Sequence, residues 1–200
     1  MGSALLNAWH NQTSNYFSVV DPNKHMILRR AYKRRVSIFQ SIDKIQNTQQ
    51  FNIIIFAIKP QIATKVMRKF IGLKYNKKVL FVSVVAGKKI SFFNNFLPHN
   101  NQFVRVMPNM PSVVEEGVSC LVTNKKTSKQ NINILTDLFG KIGKIYWLSA
   151  EKELDKVTAI SGSGPGYYFL FIDLFEKAAV ELGFTKKIAK ELVYQTAFGS

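Results

Sequence analysis

Short apolar runs alternate with helical stretches over residues 16–148, and this alternation constrains the fold more than any other feature. Strands that alternate with helices are typical of a largely parallel sheet joined by crossover helices. Continuous apolar runs indicate strands that are covered on both faces. The sequence predicts strands at residues 16–20, 51–58, 79–85, 103–107, 118–123 and 144–148, and helices at residues 24–34, 61–73, 90–97 and 128–139.

The pattern changes after residue 150, where helical periodicity replaces the strand signals. The sequence predicts a helix at residues 152–160, a tight turn at Gly162-Ser163-Gly164-Pro165, and helices at residues 167–182 and 185–198. The segment 167–182 is apolar on nearly every side, so it must be buried in a core or against a partner. We therefore expect an α/β domain at residues 1–150 and an incomplete helical domain at residues 151–200.

Composition limits the class of protein. Apolar residues make up 46% of the 200 residues, which is enough to bury a sizeable core. No apolar run approaches the roughly 20 residues that a membrane-spanning helix needs, and the N-terminus lacks the pattern of a signal peptide. The single cysteine, Cys120, cannot form an internal disulfide and falls in a predicted strand, so we expect a core residue in a cytoplasmic protein.

The chain is strongly basic, with 28 Lys and Arg against 12 Asp and Glu and a formal net charge of +16. Such a charge raises the hypothesis of a nucleic-acid or membrane-surface partner. However, apart from one dense cluster at residues 29–35, the basic residues are pairs scattered at the ends of predicted elements, which is typical of a solvated surface. The distribution argues against nucleic-acid binding, and part of the charge is expected to attract an anionic ligand.

Metal and nucleophile motifs are not found in the sequence. His10, His25 and His99 are too far apart for a local metal motif, and one cysteine cannot complete a usual zinc set. Neither a Gly-x-Ser-x-Gly elbow nor a phosphate-binding Gly-Lys-Ser/Thr loop occurs. We expect no metal site.

The first residues match the end of a dinucleotide-binding turn. Such a site begins with a strand and a glycine-rich turn, whose backbone amides meet the pyrophosphate at a helix N-terminus. The strand is absent here, and Met1 and Gly2 match only the last part of the turn, at the start of the first helix. Two residues alone are weak evidence for such a turn, but the next predicted strand falls where a dinucleotide-binding fold places it.

Asp21 ends that next strand, 19 residues beyond Gly2 by its number. An acidic residue about 20 positions after the turn often binds the ribose hydroxyls of the cofactor, which favours NADH over its phosphorylated form. Basic residues nearby, Lys24, Arg29 and Arg30, could still hold a phosphate. The alternative is that Asp21 only forms a turn and a helix cap.

Two more turns follow buried strands, at the edge where open α/β sheets bind ligands. The first is Ala57-Ile58-Lys59-Pro60 and the second contains Ala86-Gly87. Glycine permits a close approach of a cofactor. A proline after a lysine also fits the first turn of a helix, so a purely structural role stays open for the first turn.

Two further segments carry more specific patterns. In Met107-Pro108-Asn109-Met110-Pro111, two prolines fix an irregular segment that presents Asn109, which could orient a nicotinamide carboxamide or a water, or bond its own turn. In Ser161-Gly162-Ser163-Gly164-Pro165, hydroxyls and backbone amides could hold a small carboxylate or a nicotinamide. The competing role for these glycines is packing.

These two segments resemble the Met-Pro-Asn-x-Pro and Ser-Gly-Ser-Gly-Pro-x-Tyr signatures of the pyrroline-5-carboxylate reductase family. The turns at Ala57 and Ala86 are similar to the family's Ala-Val-Lys-Pro and Ala-Ala-Gly turns. Met110 replaces a usual threonine, and Gly166 a usual alanine. The resemblance implies a Rossmann-like, mostly parallel sheet that lacks its first strand, followed by an incomplete all-α dimerisation domain.

The resemblance also implies a reaction, namely the NADPH- or NADH-dependent reduction of 1-pyrroline-5-carboxylate to L-proline by a homodimer or higher homo-oligomer. Catalytic roles are expected for Asn109, Ser163 and Glu151, of which Glu151 could instead be a solvated helix position. The expected cofactor-binding residues are Met1, Gly2, Asp21, Ala57, Ile58, Lys59, Pro60, Ala86 and Gly87.

Compared with the pattern of the family, the sequence looks truncated at both ends, since the first strand and the Ser/Thr-Pro-Gly-Gly-Thr substrate loop are absent. Loss of a central parallel strand leaves backbone groups unpaired, a defect expected to exceed the roughly 5 to 15 kcal/mol of net domain stability. Two alternatives therefore stay open: a catalytically inactive remnant that retains cofactor or dimer contacts, and a basic nucleic-acid-binding protein.

Overall fold

The structure is a computed structural model and describes residues 1–23, 25–32, 34–99 and 101–200. The strands in these ranges are β1 (Phe17–Val20), β2 (Val36–Phe39), β3 (Ile53–Phe56), β4 (Leu80–Ser83), β5 (Gln102–Met107), β6 (Gly117–Thr123) and β7 (Gly143–Trp147). The helices are α1 (Gly2–Gln12), α2 (His25–Ala31), α3 (Ala63–Arg68), α4 (Ile90–Asn94), α5 (Lys129–Gly140), α6 (Glu153–Val157), α7 (Gly164–Glu181) and α8 (Lys186–Gly199). All predicted strands and helices are confirmed with shifted ends; in the helix expected at 24–34, Lys24 and Lys33 lie outside the described residues.

The main sheet has five strands in the order β3-β4-β5-β6-β7. Strands β3, β4 and β5 are parallel, β6 runs antiparallel to β5, and β7 is parallel to β6. The predicted mostly parallel α/β sheet is thus confirmed. Because β3, β4 and β5 run in one direction, their carboxyl ends lie along one edge of the sheet, at Phe56, Ser83 and Met107.

Strands β1 and β2 form a separate parallel pair. Between this pair and β3 lies a cleft of about 610 Å³, lined by Ser18 and Val20 of β1 and by Ile53 and Ile55 of β3. The usual doubly wound order places one strand between these two positions. The described residues therefore form the expected sheet without its first strand.

Apolar side chains cover both faces of the main sheet. On one face, α1 and α5 pack against β4, β5 and β6 through Leu5, Ala8, Trp9, Leu135, Leu138, Phe139, Leu80, Val82, Val104, Val106 and Leu121. On the other face, α3 and α4 pack against β3, β4 and β5 through Ala63, Met67, Ile90, Phe93, Phe56, Phe81 and Phe103. The indole N–H of Trp9 donates to the carbonyl of Leu138 at 2.6 Å, which ties α1 to α5. Burial on both faces explains why these strands are continuously apolar.

The C-terminal helices are packed differently. Only Gly164 is buried in α7, and Tyr168, Phe171 and Leu174 are 72%, 61% and 53% exposed. Thr185 is the N-cap of α8, and its Oγ1 accepts the N–H of Ile188 at 3.4 Å. Helix α7, which was expected to be buried in a core or against a partner, is thus open to solvent in the single chain.

Three details differ from the sequence-based predictions. Strand β2 was not predicted, because its four residues carry little pattern. The segment 162–165 is not a tight turn: α6 continues through a wide π-helical turn, Thr158–Gly162, directly into α7. The N–H of Ser163 reaches the carbonyl of Thr158 at 2.8 Å, so the glycines here widen a helix rather than reverse the chain. The helix predicted at residues 128–139 extends to Gly140, and Lys141 is its C-cap.

Candidate functional site

Three of the turns singled out in the sequence lie at the same edge of the main sheet. Ala57 follows β3, Ala86-Gly87 follows β4, and Pro108-Asn109 follows β5. Since these strands are parallel neighbours, the turns lie side by side along the carboxyl edge. This edge is where open α/β sheets bind their ligands.

The start of α1 lies against the turn after β3. A Cβ placed on Gly2 would be 3.3 Å from the Cβ of Ala57 and 3.7 Å from its carbonyl oxygen. The lack of a side chain at Gly2 therefore allows the close approach. The first amides of a helix have no helical acceptor, so the N-terminus of α1 directs donors toward the edge that carries the other turns.

Gly87 supplies the turn after β4 with a left-handed residue, at φ 69°. A Cβ placed on Gly87 would meet no heavy atom within 4 Å, so its backbone borders open space. The N–H of Val85 donates to Oγ of the fully buried Ser83 at 3.1 Å, which fixes the turn. The geometry fits a ligand lying directly on the backbone at Gly87.

The turn after β3 has a structural element of its own. Pro60 is the first residue of a short 3₁₀ turn, Pro60–Ile62, and Lys59 precedes it in extended conformation as its N-cap. The start of this 3₁₀ turn by itself explains why a proline stands directly after Lys59. Their predicted contact with a cofactor, and that of Ala57 and Ile58, remains a prediction.

Asp21 lies at the carboxyl end of β1, and its N–H donates to the carbonyl of Phe39 at 3.0 Å. Its Oδ1 accepts the N–H of Asn23 at 2.9 Å, so the turn that the alternative interpretation required is present. A carboxylate has further acceptor capacity, and the ribose contact stays a prediction. Of the nearby basic groups, Lys24 and the side chain of Arg29 lie outside the described residues.

Asn109 is buried, with 8% of its surface exposed. Its Oδ1 accepts the N–H of Val118 at 2.7 Å, at the start of β6, rather than bonding its own turn. The carboxamide oxygen is thus committed to the sheet, which fixes the orientation of the side chain. Its amide group is left as the donor end that could orient a ligand.

The two signature segments meet at the end of β5. A Cβ placed on Gly162 would be 3.0 Å from Cε of Met107, so a side chain at this position would require the Met107 methyl group to move by a few tenths of an ångström. Leu154 and Val157 of α6 pack with Cys120 and Met107, which holds the helix on the sheet. Ser163, the next residue after Gly162, is half-buried at the start of α7. Ser163 therefore directly follows the residue that lies against Met107, and Asn109 stands two residues after Met107 in the chain.

Glu151 is not a solvated helix position. Its Oε1 accepts the N–H of Ile90 at 2.8 Å and Nη1 of Arg105 at 3.1 Å. The Arg105 side chain is 5% exposed and that of Glu151 26%. A charge buried this deeply is stable only when it is paired and hydrogen-bonded, and Glu151 supplies the pairing.

Arg105 is the residue that the sequence analysis missed. It lies in the apolar strand Gln102–Met107, where it is the single charged residue. A lone charge inside a strand predicted to be buried requires a partner of opposite sign, and that signal could have found the pair. Nothing in the sequence spacing identifies Glu151, 46 residues later, as the partner.

Among the described residues, no group of three or more His, Cys, Asp or Glu side chains is placed to hold a metal ion. Cys120 is buried in β6, and burial raises the pKa of its thiol above the ordinary value. The expectation that Cys120 is a core residue is confirmed. No helix in the described ranges combines the length and the apolar character needed to cross a membrane.

The fold and this edge define a Rossmann-like α/β protein with a helical C-terminal segment. The family description "Pyrroline-5-carboxylate reductase dimerisation" matches residues 151–200. The pyrroline-5-carboxylate reductase of Haemophilus influenzae is 32% identical over 182 residues, which cover 91% of this chain and 66% of that protein. That of Pasteurella multocida is 31% identical over 189 residues, covering 94% of this chain and 68% of that protein.

A solved structure agrees with these relatives. The crystal structure of Plasmodium falciparum pyrroline carboxylate reductase with NADP bound has a TM-score of 0.79 and 29% identity, covering 100% of this chain and 72% of that one. The chain belongs to the pyrroline-5-carboxylate reductase family. It spans 66% and 68% of the length of the two bacterial relatives.

Proposed function

We propose that this chain is a nicotinamide-nucleotide-dependent reductase that converts 1-pyrroline-5-carboxylate to L-proline, the last step of proline biosynthesis. One observation carries the proposal: the family's two signature segments meet at the carboxyl edge of the sheet, where Gly162 lies against Met107 beside Asn109. The family membership supplies the substrate class.

The described residues fit a nicotinamide nucleotide in two places. The start of α1 at Met1 and Gly2, packed on Ala57, offers amide donors to a pyrophosphate. The positive φ and open surface at Gly87 allow a nucleotide to lie against the backbone. We propose that Ile58, Lys59, Pro60 and Ala86 contact it from the same turns.

The nucleotide, when bound, supplies a hydride to the imine carbon, and the ring nitrogen takes a proton, so that a C=N bond becomes a C–N bond. The protein contributes position and electrostatics. Asn109, fixed through its Oδ1 to Val118, holds its amide group toward the edge and orients the nicotinamide or a water. Ser163 offers a hydroxyl to the substrate from the start of α7. Both roles are proposals for catalytic residues.

The experiment is a single-turnover assay with the chain in excess over NADH or NADPH, followed by addition of 1-pyrroline-5-carboxylate. We expect loss of nucleotide absorbance in step with the formation of proline. Ser163→Ala should slow the reaction, whereas Ser200→Ala, at the far end of α8, should not. A chain that binds neither nucleotide contradicts the proposal.

The choice between the two nucleotides rests on Asp21. A carboxylate at the end of β1 repels a ribose phosphate, so we propose a preference for NADH. The NADP in the Plasmodium falciparum protein supports the other choice, which the basic residues after Asp21 could serve. Asp21→Ser should move the ratio of dissociation constants toward NADPH. An unchanged ratio contradicts a ribose contact at Asp21.

A second candidate is a non-catalytic protein that keeps nucleotide or dimer contacts. The exposed apolar side chains of α7 favour it, because they offer dimer contacts that do not depend on turnover. The same assay separates the two candidates: nucleotide binding without turnover identifies the non-catalytic protein. A salt-sensitive retention of nucleic acid would revive the basic-surface alternative.

We propose that α7 mediates homodimer formation, or a higher homo-oligomer, through its exposed apolar side chains. The match of residues 151–200 to the dimerisation family supports this. In sedimentation, Phe171→Glu should convert a dimer to monomer. Lys144→Glu, which introduces a glutamate at an exposed position of β7, should not. A monomeric parent chain at all concentrations contradicts it.

We also propose a cytoplasmic location. The support is the single, buried Cys120 thiol, which suits a reducing compartment. Fractionation of the source cells, with the chain in the cytoplasmic fraction, tests it.

A further inference from the structure

One carboxylate connects three segments of the proposed site. Oε1 of Glu151 accepts the N–H of Ile90 at 2.8 Å and Nη1 of Arg105 at 3.1 Å. Glu151 itself lies at the junction between the sheet and the C-terminal helices, two residues before α6 begins at Glu153.

Each partner lies next to a turn at the carboxyl edge. Ile90 begins α4, three residues after Gly87, and its N–H is the first amide of that helix. Arg105 stands two residues before Met107, whose side chain lies against Gly162. The carboxylate thus fixes the turn after β4 and the end of β5 at a set distance from each other.

Helix α6 transmits the same constraint to the signature serine. Leu154 is fully buried against Cys120 and Val122, and the helix continues without a break through the π-helical turn into α7. A shift of Glu151 therefore moves the start of α6 and, through it, Gly162 and Ser163. The segments that would hold nucleotide and substrate are coupled at Glu151.

We infer that Glu151, with Arg105, is a positioning residue that sets the spacing between the nucleotide side and the substrate side of the site. This inference rests on the proposed function for its catalytic readout. We assign Glu151 this positioning role in place of the expected catalytic one, because its Oε1 holds the carboxylate between the Ile90 N–H and the Arg105 guanidinium. It also assigns a role to the buried Arg105.

The test compares Glu151→Gln, which keeps an acceptor for the Ile90 N–H but loses the charge, with Glu151→Ala and Arg105→Met. Asp43→Asn is the matched control. The Asp43–Lys69 ion pair has a similar N–O distance of 3.3 Å, but both of its side chains are exposed, and Asp43 lies on the connection between β2 and β3. The first readout needs no activity: the amide resonances of Gly87, Met107 and Ser163 in the free protein. We expect all three to shift in Glu151→Ala and Arg105→Met, less in Glu151→Gln, and not in Asp43→Asn.

The second readout is kinetic. A positioning role predicts that Glu151→Ala raises the KM for substrate and the dissociation constant of the nucleotide about tenfold, with an unchanged pH profile of kcat. The Arg105→Met/Glu151→Gln double variant should lose no more than the worse single variant, because the two groups act as a unit. A direct acid–base role predicts instead that kcat falls roughly 100- to 10,000-fold with loss of one limb of the pH profile.

The outcomes are distinguishable. Unshifted amides at Gly87, Met107 and Ser163 in Glu151→Ala overturn the inference, whether or not the parent chain is active. A changed pH profile overturns it in favour of catalysis. A parent chain without turnover, whose amides nevertheless shift as expected, overturns the proposed function and leaves the coupling standing.

Discussion

The five-stranded sheet and the helix pair α7–α8 differ in how far their apolar side chains are buried. In the sheet, Phe81, Val82 and Phe103 have no exposed surface, whereas in α7 Tyr168 and Phe171 remain mostly exposed. Both regions are apolar in sequence, so hydrophobicity alone does not determine which is buried. The difference teaches that helices on both faces of β4 and β5 bury these strands within one chain, whereas the single chain leaves the apolar surface of α7 uncovered.

The largest expected effect breaks the core of the sheet. Phe81 stacks near Phe56 with ring centroids 6.2 Å apart and meets Tyr75 edge-on at 5.2 Å. Phe81→Ala should lower the free energy of unfolding by about 3 to 5 kcal/mol, the usual cost of a buried phenylalanine. The measurement is urea denaturation of the chain at low concentration.

The matched change in the helices is Phe171→Ala. In α7, Phe171 stacks on Phe175 at 5.2 Å but is 61% exposed. In the single chain its loss should cost less than about 1 kcal/mol, as for most surface substitutions. Equal costs at the two positions would abolish the distinction between the regions.

Cys120 provides a reporter for the sheet, because it is the only cysteine in the chain. Burial in β6 raises the pKa of its thiol and shields it, so less of the reactive thiolate is available. Alkylation of Cys120 should be at least about 100-fold slower than that of a cysteine introduced at Leu182 in a Cys120→Ser background, since core strands open rarely. Mass spectrometry over time gives both rates. Comparable rates would mean that β6 is as open as the end of α7.

Glu153 joins the two regions and yields the smallest effect. The N–H groups of Ala150 and Ser149 each donate to its Oε2 at 3.1 Å, and these bonds lower the pKa of the Glu153 carboxyl. A lowered folded-state pKa means that the stabilisation is present above the unfolded-state value and is lost as pH falls through the folded one. The melting temperature of Glu153→Gln should therefore lie below that of the parent at neutral pH and approach it in acid.

Lys152→Gln is the control for Glu153, because it changes the neighbouring side chain and keeps the carboxylate that accepts the Ala150 and Ser149 N–H groups. Its difference from the parent should stay constant between neutral and acidic pH. A Glu153→Gln difference that is equally constant would contradict the assigned hydrogen bonds.

Much of the architecture could be predicted from the sequence because it depends on local patterns. Apolar runs identify β3 to β7, and Gly183, at φ 96°, follows the end of α7. The relation of Gly162 to Met107 could not be predicted, since it depends on helix packing across 55 residues of chain by their numbers. The same holds for Arg105 and Glu151, where the pattern reveals that a buried charge needs a partner but not which one.

For one local element the prediction from the sequence is wrong. Glycine and proline between Ser161 and Gly166 indicated a tight turn, yet the residues keep helical angles, with Ser163 at φ −88° and ψ −22°. Proline is tolerated in the first turn of a helix, and a widened turn accepts glycine without reversing the chain. Tertiary packing of α6 on the sheet decides the outcome here.

The central claim is that the turns at the carboxyl edge hold a nicotinamide nucleotide, and a pair of glycines tests it directly. Gly87 and Gly72 both have positive φ, 69° and 77°, and a Cβ on either would meet nothing within 4 Å. Alanine at either position therefore carries a similar backbone strain, about 1 to 2 kcal/mol. The measurement is the dissociation constant of NADH and NADPH for Gly87→Ala and Gly72→Ala by fluorescence titration. The account predicts at least a tenfold weakening for Gly87→Ala alone; equal affinities in the two variants would contradict it.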